Sequence, residues 1–289
     1  MINIRYPLLL TSFCTCLGAQ AAEVSPGDFE QYPAGSTIGL LYYQHATTNS
    51  LYADGSKASS DFNLTSDIGI LRLLHVYELT GRLTVDPQFL LPFGQLSTSG
   101  AASPLGDASG LGDLTLAAAF KYRLNDARDI IAFAPYISLP TGTYDNNDAL
   151  NLGENRWKVE LQSAYIKHFG EKWAADLVVD ALWYGDNDDA DDTSQRLEQD
   201  LSYSAQLMGR YNISPSTNIS IGIGHRWGGE TKLDGVRQDD KLDTTYFRLT
   251  GTTFVTPQDQ LQAQLGRDLS VDQGVSEDFR LNLRYARIF

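Results

Sequence analysis

The sequence predicts an all-β protein, a transmembrane antiparallel up-and-down β-barrel of 12 strands. Short polar breaks recur roughly every 44 residues, and longer stretches rich in Gly, Ser, Asn and Asp lie between them. The breaks lie at residues 80–82, 125–129, 170–172, 214–218 and 256–260. Between the breaks, apolar and polar residues alternate with a period of two, as they do in a strand that buries one face.

The segments between the breaks form an even number of strands, so both ends of the chain lie on one side of the membrane. The predicted strands lie near residues 36–46, 64–79, 83–95, 112–124, 130–141, 156–169, 172–185, 199–213, 218–230, 242–255, 260–270 and 277–289. In the seventh strand, Trp173, Leu177 and Trp183 share one face, and Asp176 and Asp180 share the other. The first two strands are ambiguous in phase.

A soluble β-sandwich also alternates, so strand length and aromatic placement must distinguish the two folds. Soluble strands usually have about 5 to 6 residues, whereas these have about a dozen. Trp173 and Trp183 stand about 25 Å apart along the membrane normal, at ~3.3 Å per residue and a tilt of about 40°. Trp157 and Phe169 repeat this arrangement on the preceding strand. These aromatic ends favour a barrel in an outer membrane.

The first 21 residues have the layout of a secretory signal peptide. Arg5 precedes an apolar run, and an A-x-A triplet ends at Ala21, where we expect cleavage. A retained membrane anchor is disfavoured because the run is shorter than the ~20 residues of a spanning helix. The sequence therefore predicts a cleaved signal peptide at residues 1–21, a short periplasmic segment at 22–34 and the barrel at 35–289.

Composition excludes several classes of protein. Cys14 and Cys16 both lie in the predicted signal peptide, so we expect no disulfide and no cysteine-bound metal. The formal charge of −14 becomes −15 once Arg5 is removed, and so acidic a chain is a poor ligand for nucleic acid. We expect no cofactor.

The pattern of residues 281–289 is that of a terminal strand. Because hydrocarbon offers no hydrogen-bond partner to the backbone, this strand must pair with the first strand. Tyr285 and Phe289 are the candidate assembly signal, since outer-membrane assembly machinery is generally taken to recognise a final aromatic residue. The expected partners are therefore outer-membrane lipid, lipopolysaccharide, the assembly machinery of a Gram-negative bacterium and a small-molecule solute.

Three stretches, "SGLGDLTLAAAFKYRL" (109–124), "PYISLPTGTYD" (135–145) and "LGENRW" (152–157), together with "YPAGSTIGLLYY" (32–43), resemble the outer-membrane channels of the MetA-pathway of phenol degradation family. The resemblance implies a twelve-stranded barrel. It also implies passage of small, often hydrophobic or aromatic, molecules across the outer membrane.

The positions that match the family are Gly112, Asp113, Pro140, Gly142, Tyr144, Gly153, Asn155 and Trp157. A structural role is favoured for them over direct contact with the solute, because Gly and Pro shape strand ends and loop bases and Trp anchors at the interface.

Two further patterns bear on binding and catalysis. The acidic stretch at residues 186–192 lacks the Gly and Glu of an EF-hand loop, so a solvated outer loop is favoured over divalent-ion bridging to lipopolysaccharide. His45, His75, His168 and His225 lie in no nucleophile motif, so the sequence predicts no enzyme.

Charged residues on the inward faces are the candidate lining of a pore. They are Glu160, Asp180, Arg226, Arg248, Asp268, Arg280 and Arg284. Acid lies mostly on one wall and base on the other, so the charges either line a narrow polar pore or form ion pairs that plug the lumen. The sequence thus predicts a channel for passive uptake of small molecules. A structural or plugged barrel is the first alternative, and an outer-membrane enzyme is the less favoured one.

Overall fold

The structure, a computed structural model, describes residues 23–289. Twelve antiparallel strands form one closed barrel in which each strand pairs with its neighbours along the chain. The strands are β1 (Thr37–Ala53), β2 (Phe62–His75), β3 (Leu83–Gly100), β4 (Thr115–Arg123), β5 (Ile130–Ser138), β6 (Lys158–Phe169), β7 (Trp173–Tyr184), β8 (Ser202–Ser214), β9 (Thr217–Gly228), β10 (Leu242–Phe254), β11 (Asp259–Val271) and β12 (Gly274–Ile288). The predicted fold class and strand number are confirmed.

The last strand, β12, closes the barrel on β1. Their register places Ile38 opposite Ile288. The N–H of Phe289 donates to the carbonyl of Thr37 at 2.8 Å. Because hydrocarbon offers no hydrogen-bond partner, this closure satisfies backbone groups that an open edge would leave unpaired. Residues 281–289 therefore have the partner that their pattern required.

Three strand boundaries differ from the predicted ones by four or more residues. β1 and β3 reach residues 53 and 100 instead of 46 and 95, because their extra residues pair with the short strand Ser56–Ser59 and with the start of β2. β2 ends at His75, earlier than predicted. The next residue, Val76, leaves the ladder and exchanges backbone hydrogen bonds with Gly35 and Ser36, and the short strand Tyr77–Thr80 then pairs with β3 again.

The two faces of each strand differ as the alternation predicts. In β7, Trp173 and Trp183 are 56% and 49% exposed on the outer surface, whereas Asp176 and Asp180 are buried in the interior. An outer band of exposed apolar side chains with tryptophan at both ends is the surface of a barrel that lies in a membrane.

The long connections fold over one end of the barrel. Leu105, Leu150 and Leu152 of these loops pack against Leu64 and Leu96 of the barrel wall in one apolar cluster. A separate sheet joins the loop after β7 to the loop after β9, and its strands are Leu197–Gln199, Thr231–Leu233 and Val236–Arg237. No helix within residues 23–289 is long and apolar enough to cross a membrane.

Residues 23–35, called here the N-terminal segment, begin inside the barrel and leave it at the end that carries the short turns. Gln31 donates from Nε2 to the carbonyl oxygens of Arg82 and Lys121, at 3.0 and 2.8 Å. The sequence placed this segment in the periplasm. It lies in the lumen instead because its carboxylates meet inward arginines there. The predicted signal peptide lies outside the described residues and stays a prediction.

Candidate functional site

The N-terminal segment fills the short-turn half of the lumen, the part nearest the short turns. Three of its carboxylates bind arginines of the barrel wall, and the pairs are Glu23 with Arg248 (2.6 Å), Asp28 with Arg284 (2.5 Å) and Glu30 with Arg210 (2.6 Å). Arg280, Arg72 and His168 add second contacts to these carboxylates, at 3.9, 3.6 and 3.0 Å. Breaking such a buried pair is costly because it leaves a charge without compensation.

Apolar side chains complete the filling of the short-turn half. Val24 and Phe29 of the N-terminal segment pack in one cluster with Leu90, Ala119 and Ile130 of the wall. A cavity of only about 50 Å³ remains between the segment and β1–β6. The segment is therefore held by charge on one side and by apolar packing on the other.

The arginines of the wall are fixed in orientation by an aromatic ring. Tyr246 on β10 lies between Arg226 and Arg248, whose guanidinium carbons are 4.7 and 4.6 Å from the ring centre. Gly224 on β9 makes room for this ring, since a Cβ there would lie 2.1 Å from Cζ of Tyr246. The arginines are therefore parts of a packed wall and not freely mobile charges.

The long-loop half, the part of the lumen nearest the long loops, contains a cavity of about 270 Å³. Its two walls differ in chemistry. The wall of β2 and β3 is mostly apolar and includes Leu64, Ile68, Ile70, Leu90 and Pro92. The opposite wall, on β6–β11, is charged and includes Glu160, Asp180, Arg226 and Asp268. A solute in this cavity therefore meets hydrocarbon on one side and charge on the other.

Neutral groups supply most of the hydrogen bonds to the acids of the charged wall. Asp180 accepts a hydrogen bond of 2.5 Å from the hydroxyl of Ser204, and Glu160 accepts one of 3.1 Å from Gln162. One oxygen of Asp268 accepts the backbone N–H of Glu277 at 2.8 Å.

All seven charged residues that the sequence assigned to the pore have inward side chains, and they are Glu160, Asp180, Arg226, Arg248, Asp268, Arg280 and Arg284. The structure brings Arg226 to 3.9 Å from Asp268. Arg248 and Arg284 are bound by the N-terminal segment instead of facing the acids across water. Their role in conduction stays a prediction.

Several inward charges were not among the predicted pore residues. Lys121 lies 2.8 Å from Asp86, and Arg210 lies 2.8 Å from Asp176. These residues lie nearer the short turns than most of the predicted pore residues do. The alternation already placed Lys121 and Asp176 on the polar faces of their strands, and that signal was enough to find them.

Asp113, one of the family positions, organises the loop between β5 and β6. Its Oδ1 accepts the N–H groups of Thr141 and Gly142, at 3.2 and 2.9 Å, and its Oδ2 accepts that of Glu154 at 3.0 Å. Gly142 and Gly153 lie against each other, since a Cβ on Gly142 would be 2.6 Å from Cα of Gly153. These contacts support the structural interpretation of the family motif.

The remaining family positions lie around the same loop. The hydroxyl of Tyr144 donates to the carbonyl of Asp189 at 2.8 Å. Asn155, in the left-handed region with φ 54°, donates to the side chain of Asn187 at 2.9 Å. Gly112 donates its N–H to the carbonyl of Pro92 at 2.8 Å. Pro140 follows the end of β5 and Trp157 is exposed on the outer surface.

A buried ion cluster lies below this loop. Glu154 contacts Arg156 at 2.7 Å and Lys158 at 2.5 Å, and all three side chains are nearly inaccessible. Burial disfavours the charge of Glu154, but Lys158 and Arg156 outweigh that effect and hold its pKa below the usual value. Arg156 also stacks on Tyr184 at 4.6 Å. The cluster ties the loop to the top of β6 and β7.

The acidic stretch at 186–192 uses its carboxylates within the loops. Asp186 pairs with Arg196, and Asp189 accepts hydrogen bonds from Asn146 and Ser194, at 2.7 and 2.8 Å. Within residues 23–289, no group of three or more His, Cys, Asp or Glu side chains is placed to hold a metal ion.

The closed barrel, its apolar outer surface and its partly hollow polar lumen define a β-barrel channel of the outer membrane. The chain belongs to the family described as the putative MetA-pathway of phenol degradation, whose model matches residues 48–285. The resemblance found in the sequence is thereby confirmed.

A solved structure supports this assignment. The COG4313 outer membrane channel from Pseudomonas putida F1 is 64% identical in sequence, and the match covers 92% of this chain and 100% of that one with a TM-score of 0.92. No protein with a curated functional description matches the sequence.

Two distant structures share the fold alone. They are the CymD monoaromatic hydrocarbon channel (12% identity, 94% of this chain and 93% of that one, TM-score 0.51) and the Pseudomonas putida toluene transporter TodX (10% identity, 91% and 92%, TM-score 0.50).

Proposed function

We propose that this channel admits small hydrophobic molecules, aromatic ones included, by passive diffusion through the outer membrane. The apolar wall of the long-loop cavity, on β2 and β3, carries the proposal. An apolar solute gains about 25 cal/mol per Å² of surface that it buries on such a wall, and a sugar gains much less. The names of the distant channels CymD and TodX, which refer to monoaromatic hydrocarbons and toluene, agree with such a solute.

The direction of passage follows from an orientation that is also proposed. The short turns face the periplasm and the long acidic loops face the outside, as the loop lengths of outer-membrane barrels indicate. A protease site inserted near Asp189 should be cut on intact cells, and one inserted near Ala127 should be protected. The opposite cleavage pattern would invert the proposed path.

A barrel that does not transport is the second candidate, and the N-terminal segment favours it. Glu23, Asp28 and Glu30 bind the wall across the short-turn half, so a solute in the long-loop cavity has no wide path onward. The channel proposal requires this segment or the wall beside it to move during passage. A plugged barrel requires no such motion, so uptake measurements distinguish the two.

The proposal assigns no catalytic role to the channel. Among the described residues, none of the four histidines lines the long-loop cavity. Their bonded partners are Asp67 for His45, Thr37 for His75, Glu30 for His168 and Thr245 for His225. None of these pairs includes a Ser or Cys nucleophile, which the common hydrolase arrangements need.

The outer surface contacts membrane lipid, and two finer partners are proposed: lipopolysaccharide at the long loops and the assembly machinery at Phe289. The ring of Phe289 is 72% exposed. Phe289→Ala removes that ring and keeps the backbone bond to Thr37, so it should lower the amount of folded barrel without affecting export. Leu283→Ala, on the outer face of the same strand, is the control. Equal amounts of heat-modifiable barrel from both variants would contradict a role for the ring.

The experiment that tests the proposed function is uptake by whole cells. A Gram-negative host that carries the channel should take up radiolabelled toluene several-fold faster than the host without it. Uptake of a labelled disaccharide should rise much less. Equal toluene uptake with and without the channel would support the plugged barrel instead.

A further inference from the structure

We infer that the long-loop cavity prefers amphipathic organic cations, molecules with an apolar or aromatic body and a single ammonium group. This inference rests on the proposed function and specifies the solute class of the same cavity. Two observations support it: carboxylates outnumber cations around the cavity, and the wall of β2 and β3 is mostly apolar.

The cavity has an excess of negative charge. Eight carboxylates line it, against three cationic side chains, Lys158, Arg226 and Arg280. Two more cations, Arg156 and Arg248, bind lining carboxylates from outside the cavity, so eight acids face five bases. The pairs at Glu154 and at the N-terminal segment use four of these five bases. Arg226 is the base that remains for the other acids.

Arg226 stands between two carboxylates and makes close contact with neither. Its Nη2 lies 3.9 Å from Oδ1 of Asp268, and it also acts electrostatically on Asp180. Asp268 is 4% exposed, and its Oδ1 has no hydrogen bond among the described residues. Asp180 is bonded by the neutral donors Ser204 and Gln162. A buried carboxylate in this condition is strongly stabilised by a further cation.

An ammonium group meets this need, because it carries positive charge and three hydrogen-bond donors. The opposite wall selects the rest of the molecule. Leu64, Ile68 and Ile70 on β2 and Leu90 and Pro92 on β3 offer only apolar contact. A solute that has both parts satisfies both walls at once, whereas an apolar anion places its charge beside Asp180 and Asp268.

The test compares three probes with one body: 4-phenylbutylamine, 4-phenylbutanol and 4-phenylbutyrate at neutral pH. Equilibrium dialysis against the folded full-length protein in nanodiscs gives each Kd, and empty nanodiscs correct for partition into lipid. The amine should bind about tenfold more tightly than the alcohol, the gain of roughly one charge-assisted hydrogen bond. The butyrate should bind more weakly than the alcohol.

Variants locate the site. Asp268→Asn and Asp180→Asn should each raise the Kd of the amine at least threefold and leave that of the alcohol unchanged. Asp239→Asn, which removes one exposed loop charge outside the cavity, is the matched control and should change neither value. Arg226→Gln should lower the Kd of the amine, a gain that a misfolded barrel cannot produce. Heat-modifiable mobility in electrophoresis verifies that each variant is folded.

The outcomes separate this inference from the function on which it rests. Equal binding of amine and alcohol, or an amine preference that survives both aspartate variants, would overturn the cation preference and leave the hydrophobic channel intact. Binding of none of the three probes would overturn both. An amine preference that disappears in Asp268→Asn and Asp180→Asn but persists in Asp239→Asn supports the inference.

Discussion

The two halves of the lumen are enclosed by the same twelve strands, yet one is filled and the other contains a cavity. In the short-turn half, Glu23, Asp28 and Glu30 of the N-terminal segment compensate three arginines of the wall. In the long-loop half the acids are in excess, and Ile68, Ile70 and Pro92 of the apolar wall line an open cavity. The strand number sets the width of the barrel, but a short segment outside the strands decides which half is open.

The largest expected effect comes from releasing the N-terminal segment, so that both halves of the lumen are open. Glu23→Gln, Asp28→Asn and Glu30→Gln together remove the ion pairs between the segment and five arginines of the wall, so the N-terminal segment should detach and water should solvate the wall. Each broken buried pair removes about 3 to 5 kcal/mol of attachment. Single-channel conductance in planar bilayers should increase several-fold.

The control for this triple variant removes the same number of acids from the exposed short turns. Glu78→Gln, Asp126→Asn and Glu171→Gln lie outside the lumen and should leave conductance unchanged. If both triple variants conduct like the unmodified channel, the N-terminal segment is not what closes the short-turn half.

A second variant tests how much the buried ion cluster of Glu154, Arg156 and Lys158 stabilises the long-loop half. Glu154→Gln leaves Arg156 and Lys158 buried without a counter-charge, at a cost of about 3 to 5 kcal/mol. The midpoint temperature of unfolding, measured by heat-modifiable mobility in electrophoresis, should fall clearly. Asp186→Asn breaks an exposed pair with Arg196, which should cost about 1 kcal/mol or less. Similar midpoints for the two variants would contradict the burial argument.

The family glycines allow a test of smaller expected effect. Gly142→Ala places a Cβ 2.6 Å from Cα of Gly153, so backbone must shift. The expected loss is about 1 to 3 kcal/mol, as for other overpacked sites, with a lower yield of folded barrel. Gly251→Ala has no atom within 4 Å of the new Cβ and is the matched control. If Gly142→Ala folds as well as Gly251→Ala, the close approach does not explain this glycine.

The smallest expected effect concerns ion selectivity. Glu160→Gln with Asp180→Asn replaces two buried acids with amides of the same shape, so the loss of stability should be smaller than for Glu154→Gln. The reversal potential in a salt gradient should move toward anions, because the field in the long-loop half becomes less negative. A large loss of stability with an unchanged reversal potential would mean that these acids are structural.

The barrel could be predicted from the sequence because its strands alternate polar and apolar residues and its turns recur at a regular spacing. Trp173, Trp183, Asp176 and Asp180 alternate by parity alone, and turn spacing gave the number of strands. The N-terminal segment has no such period. Glu23 contacts Arg248, 225 positions away, so only the folded barrel brings the two together. The same limit applies to the loop contacts, which join residues from distant parts of the chain.

The alternation also predicted which charged side chains of the candidate site face inward. Parity placed all seven predicted charges on inward faces, but parity contains no information on height or on what fills the lumen. Arg248 and Arg284 were therefore assigned to an open pore although the N-terminal segment binds them. Because the N-terminal segment neutralises these arginines, the acids of the long-loop half exceed the bases there, and the sequence alone does not show this.

The central claim, that the solute passes through the long-loop cavity, is tested most directly by filling that cavity. Ala46 on β1 lines it, and Ala181 on β7 lies on the outer face of the barrel. Toluene uptake by cells that carry equal amounts of folded Ala46→Trp and Ala181→Trp is the measurement. The account predicts that Ala46→Trp reduces uptake to the rate of cells without the channel and that Ala181→Trp has no effect. Unchanged uptake in folded Ala46→Trp would contradict it.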